Sequence, residues 1–120
     1  HYPLRRQRQM CIRDSCVSSR ADKNSQFYIE PLKADNVEVL WDDLHMALKE
    51  MGFVEKTSQA NYIHATAKTK LLGFTDDMEF LINAEEQVIE MRSQSRVGYS
   101  DMGANRKRLE AIRSYLYPKQ

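Results

Sequence analysis

Residues 72–97, LGFTDDMEFLINAEEQVIEMRSQSRV, decide the fold. Apolar and polar side chains alternate with a period of two on both sides of a polar break at residues 83–87, the pattern of two strands joined by a five-residue hairpin loop. Leu72, Phe74, Met78, Phe80 and Ile82 fall on one face, and Asp77 and Glu79 on the other. After the turn, Ile89, Met91 and Val97 face the core while Glu90, Arg92, Gln94 and Arg96 point away. Pairing Ile82 with Ile89 keeps both apolar sets on one side, and it places Glu79 opposite Arg92, Asp77 opposite Gln94 and Asp76 opposite Ser95. A slip of one residue would bury the charges.

Two more runs with the same period precede this hairpin, at residues 53–59 and 62–69, separated by a tight turn at Ala60 and Asn61. In the second, Ile63, Ala65 and Ala67 point inward, leaving Tyr62, His64, Thr66 and Lys68 on the polar face. Upstream, Val37, Leu40, Trp41, Leu44, Leu48 and Met51 recur at helical spacing between a capping-box-like Asp35/Glu38 start and a stop at Gly52. A short β-prone run, Phe27, Tyr28 and Ile29, comes before that helix, and Pro31 confines it to an edge or ends it there. Residues 16–26 read as an extended polar lead-in. The chain closes with a helix over about residues 102–117, with Leu109, Ile112 and Leu116 as its apolar stripe and Pro118 ending it. The order β-α-β-β-β-β-α predicts a single α+β domain over residues 27–117: one antiparallel sheet with two helices packed on one face.

The first fifteen residues, HYPLRRQRQMCIRDS, stand apart. From Arg5 to Asp14 they match one reading frame of a transposase-type sequencing adapter, CGT CGG CAG CGT CAG ATG TGT ATA AGA GAC. They are therefore expected to be non-native and to pack on nothing. Without them 18 basic and 17 acidic residues become 14 and 16, and the formal charge changes from +1 to −2. The basic arm that would suggest nucleic acid goes with them, so no nucleic-acid partner is expected. Cys11 goes too, which leaves Cys16 alone and argues against reading the two cysteines as a disulfide or metal clip. No apolar run is long enough to cross a bilayer. Membrane association is expected only through a segment upstream of Cys16 that the adapter has replaced.

The polar sheet face carries His64, Asp77, Glu79, Arg92 and Arg96. As a solvated face, its cross-strand charge pairs contribute roughly 0.2–1 kcal/mol each. As a binding face, His64 beside Asp77 offers acid–base chemistry and the arginines offer a hold on carboxylate or phosphate. No nucleophile completes that set, because alternation sends Ser93 and Ser95 to the other face. Asp76 falls among the inward residues and so needs partners. Ser95 opposite it, and Asn105 on the inner stripe of the last helix, predict a hydrogen-bond network tying helix to sheet. Residues 96–110, RVGYSDMGANRKRLE, carry two glycines before a helix but lack the Lys-Ser/Thr of a phosphate loop. Ser100 or Asp101 reads as a helix cap, and Arg106, Lys107, Arg108 and Arg113 read as a charged helix face that is solvated or open to an acidic partner. With one remaining cysteine and no ligand spacing between His45 and His64, no metal or cofactor is expected. His45 reads as a helix-surface residue, and Trp41 and the methionines as core.

CVSS at residues 16–19, DDMEF at 76–80 and SRVGYSDMGANRKRLE at 95–110 resemble the bacterial and plastid family catalogued as domain of unknown function 1499, over residues 16–116. Members begin with a CPxSPNCVSS motif, so the resemblance implies that Cys16 corresponds to its second cysteine. It also implies an N-terminal signal or membrane segment in many members, and hence an envelope or membrane-anchored location. The last motif brings Tyr99, Asp101 and Arg106 into the candidate set beside Asp76, Ser95 and Asn105. The resemblance brings no reaction, cofactor or catalytic residue. The expected function is a non-enzymatic binding or interaction module of the cell envelope, with an unknown protein or small molecule as partner. The alternatives are a small enzyme using His64 and Asp77, or a small-ligand carrier with an apolar pocket lined by Phe74, Met78, Phe80 and Leu109.

Overall fold

The computed structural model describes residues 16–68, 73–96 and 102–117. Six strands and two helices follow in the order β1 (Cys16–Ser18), β2 (Leu32–Lys33), α1 (Val37–Glu50), β3 (Val54–Ser58), β4 (Tyr62–Lys68), β5 (Thr75–Asn83), β6 (Val88–Ser95) and α2 (Met102–Leu116). The sheet is antiparallel in the order β1-β6-β5-β4-β3, with β2 also pairing β6. This is the α+β architecture that the alternation predicts. The central hairpin has the predicted register, with Ile82 opposite Ile89, Glu79 opposite Arg92, Asp77 opposite Gln94 and Asp76 opposite Ser95.

Both helices cover the inner face, where Ile63, Ala65, Met78, Phe80, Ile89 and Met91 pack against Leu40, Trp41, Leu44, Leu48, Leu109 and Ile112 in one core cluster. α1 begins one residue later than the capping box implied. Asn36 is the cap, its side-chain oxygen accepting from the backbone N–H of Glu38 at 3.1 Å and of Val39 at 3.3 Å. Gly52, at φ +86°, reverses the chain behind α1, and Gly52 N–H and Phe53 N–H close back on the carbonyls of Lys49 and Leu48.

The N-terminal segment departs from the sequence reading. Residues 16–26 are not merely a polar lead-in, because Cys16, Val17 and Ser18 form a buried strand on the edge of β6. Phe27, Tyr28 and Ile29 supply only an isolated parallel bridge, Ser18 to Tyr28, and the paired strand comes after Pro31, at Leu32 and Lys33. The physical reason is that Pro31 has no N–H to donate, whereas Leu32 buries its side chain opposite Ile89. Cys16 is disulfide-bonded, which corrects the expectation of a lone cysteine; the other half of the bridge lies outside the described residues. So do the predictions about residues 1–15, and about Leu72, Val97, Tyr99, Ser100 and Asp101.

Candidate functional site

Three clusters follow from this scaffold. On the sheet face away from the helices, β4 and β5 set His64 beside Asp77. His64 Nε2 lies 2.7 Å from Asp77 Oδ1, and Arg96 grips the same carboxylate through Nε at 2.9 Å and Nη2 at 3.0 Å. Burial pushes the Asp77 carboxyl up. The hydrogen bonds from Arg96 and His64, with their charges, outweigh it and hold the group below the usual carboxylate range. Asp77 in turn raises Arg96, whose side chain remains 55% exposed.

Glu79 and Arg92 belong to the same face but not to the surface. Glu79 is 1% and Arg92 6% exposed; Arg92 Nη1 donates to Glu79 Oε1 at 3.4 Å, and Tyr62 donates its hydroxyl to Glu79 Oε2 at 2.6 Å. Arg92 also donates to Gln94. The structure therefore joins His64, Asp77 and Arg96 in one partly exposed group, and separates from them a buried pair that has left water. The idea of a wholly solvated sheet face is corrected on this point.

The second cluster ties α2 to the inner face. Asn105 accepts from Ser93 Oγ at 2.5 Å and donates to Ser95 Oγ at 3.1 Å, all three being buried. Ser95 and Asn105 thus meet as the alternation predicted. Asp76 instead turns to a residue absent from the predicted network, Arg108, whose Nη1 stands 2.9 Å from Asp76 Oδ2 and donates to Asn105 Oδ1 at 3.3 Å. Asp76 is 0% exposed, and neither of its oxygens accepts an aligned hydrogen bond. Its contact with Arg108 is therefore an ion pair by distance rather than a directed bond. The signal for Arg108 was its spacing: three residues after Asn105 on a helix, it looks the same way.

Two more arginines of the basic helix face, Arg106 and Arg113, bond the chain itself, while Lys107 stays exposed. Arg106 donates to the Gln26 carbonyl at 2.8 Å, and Arg113 bonds Glu110 and the carbonyls of Glu30 and Pro31. Tyr117 closes on the Lys33 carbonyl at 2.6 Å. Burial raises the Tyr117 hydroxyl, with the Arg113 charge opposing. Tyr28 is raised by burial and by the charges of Glu30 and Glu90, with Arg113 opposing.

The third cluster is one that the sequence reading did not single out. A groove runs between α1 and the edge strand β3, lined by Asp42, His45, Met46, Lys49 and Glu50 and by Phe53, Val54 and Glu55. His45 Nδ1 lies 2.9 Å from Glu55 Oε2, and its ring stands edge-on to Trp41 with 5.6 Å between centroids. Met46 is 61% and Val54 52% exposed, so Met46 is not the core methionine that its type suggested. Val39, two turns before Met46 on the same stripe, is exposed as well. The available signal was position: Met46 falls outside the set Val37, Leu40, Leu44, Leu48 that defines the buried face.

Of the four residues proposed to line a ligand pocket, Met78, Phe80 and Leu109 are fully buried in the core cluster and Phe74 is half-buried, and none of them lines a described groove. Among the described residues no three His, Cys, Asp or Glu side chains gather as a metal site, and no helix is long and apolar enough to cross a membrane. No curated protein matches the chain. A family model described as protein of unknown function, DUF1499, matches residues 9–116, which takes in all of the described core and part of the stretch read as adapter. Since the match runs across nearly the whole sequence, the chain belongs to the DUF1499 family.

Proposed function

We propose that this domain is a non-enzymatic interaction module of the cell envelope, and that it meets its partner through the groove between α1 and β3. One observation carries the reading. Large apolar side chains, Met46 and Val54, stay exposed beside a groove at the edge of the sheet. Exposed apolar surface gathered into one place marks interaction sites in soluble proteins. The sheet-face groups favour binding over catalysis, since Arg96 and His64 together occupy both Asp77 oxygens. The envelope part of the proposal rests on the family resemblance, which implies an N-terminal signal or membrane segment in many members.

The test is photocrosslinking in bacteria that export the chain, with the reactive group placed at Met46, at Val54, or at Tyr115, an exposed apolar control on α2. The proposal expects one discrete adduct from the two groove positions and none from Tyr115. Equal labelling at all three would overturn it.

A second reading has its own observation, the 2.7 Å contact between His64 and Asp77, which suits an acid–base pair in a small enzyme. It expects any hydrolytic or isomerase activity found for the chain to vanish in His64→Gln while the groove variants keep it.

A further inference from the structure

The groove has charge as well as shape, and the charge identifies its occupant. Resting on the reading above, we propose that the groove takes a cationic amphipathic peptide segment, an apolar stretch carrying Lys or Arg, from a partner protein.

The argument starts with α1. Asp42, Met46, Lys49 and Glu50 all line the groove and span about two turns of the helix, roughly 12 Å at 1.5 Å per residue. That length matches two turns of a docked helix. The apolar floor is Met46, Phe53 and Val54. Around it stand the carboxylates of Asp42, Glu50 and Glu55 against the single ammonium of Lys49, with His45 engaged by Glu55. Further along the exposed side of α1, Glu38 and Asp43 add to the same sign. An anionic bilayer would be repelled by this surface, as would an acidic peptide, whereas a segment with Lys or Arg beside its apolar residues complements it.

Strand addition is the less suitable mode. β3 is an edge strand that pairs with β4 alone among the described residues, but its register shifts between Glu55 and Thr57, leaving Lys56 at a bulge. A bulge and a lysine on an edge are the usual guards against further strand pairing. The occupant therefore lies over the helix side of the groove and packs its apolar face on Met46 and Val54.

The chain carries its own reporter, since Trp41 is the only tryptophan and contacts His45 at the groove. The full chain is titrated with a short leucine–lysine peptide patterned as an amphipathic helix, with a leucine–glutamate peptide of the same pattern, and with a scrambled leucine–lysine peptide that has no apolar face. The expected result is a saturable change in Trp41 fluorescence with the patterned cationic peptide only. Its affinity should weaken on raising salt, fall at least tenfold in the uncharged variant Met46→Ser, and stay unchanged in Tyr115→Ser. If the glutamate peptide binds as tightly as the lysine one, the cationic assignment is overturned and the groove remains an apolar docking site. If no patterned peptide binds, or if Met46→Ser binds like the parent, the groove itself is refuted as the interaction surface.

Discussion

Removing Arg108 is the sharpest perturbation of this fold. In Arg108→Met, Asp76 stays 0% exposed with no aligned hydrogen bond to either oxygen and loses the cation 2.9 Å away. At that distance the Coulomb attraction is about 6 kcal/mol for an effective dielectric of about 20. Withdrawing both ions from water costs several kcal/mol each, so the intact pair contributes little net stability. Breaking it from one side is different, because the carboxylate keeps its desolvation cost and loses its compensation, at about 3–5 kcal/mol. For a domain of this size that lowers Tm by roughly 12 °C or more. The double variant Asp76→Leu, Arg108→Met removes both charges and should recover most of the loss, leaving Ser93, Ser95 and Asn105 to satisfy one another. Urea unfolding followed by Trp41 fluorescence measures all three proteins. A cost below about 1 kcal/mol for Arg108→Met, or a double variant as unstable as the single one, would refute the view of Asp76 as a carboxylate held in the interior by one arginine.

Other outcomes follow from the same contacts. Because the folded-state pKa of Asp77 is depressed, its contribution to stability is present above the unfolded value of about 3.9 and is lost as pH falls through the folded value. Arg96→Gln should therefore move the midpoint of acid unfolding to higher pH, and an unchanged midpoint would contradict the pairing. Arg92→Ala should cost about 3 kcal/mol, since it strips a cation from the buried Glu79, whereas Arg96→Ala, on an exposed side chain, should melt close to the parent. Gly52→Ala forces a left-handed conformation on a residue with open space around it, so only the backbone term of about 1–2 kcal/mol should appear in denaturant unfolding. Thiol titration of the unfolded, unreduced chain should find no free thiol, and reduction should cost about 2 kcal/mol of stability.

The central hairpin was readable because its two faces differ at almost every position. Once Ile82 was paired with Ile89, the partners of Asp76, Asp77 and Glu79 had no freedom left. The helices were readable for the same reason at a period of 3.6, apart from the one-residue shift of the cap to Asn36, whose amide oxygen does the work assigned to Asp35. Strand β1 was not readable, because three residues of mixed polarity carry no period, and Cys16–Ser18 gains its place from the edge of β6 rather than from its own pattern. The sheet-face residues were found, but whether they meet water was not, since alternation reports direction and not depth. Long side chains were misjudged most. Arg106, Arg108 and Arg113 sit where a helical wheel shows charge, yet their reach brings them to the carbonyls of Gln26, Glu30 and Pro31 and to an ion pair with Asp76. The groove was missed because it arises from two elements meeting, with Met46 on one and Val54 on the other, and no local pattern links them.

Two surfaces therefore compete for the partner, the α1/β3 groove and the polar sheet face around His64, Asp77 and Arg96. Amide chemical-shift mapping of the isotope-labelled full chain, during titration with the patterned leucine–lysine peptide, distinguishes them in one measurement. The account predicts that perturbed amides concentrate between Asp42 and Glu55. Perturbations centred on His64, Asp77 and Arg96, with the groove amides unmoved, would contradict it.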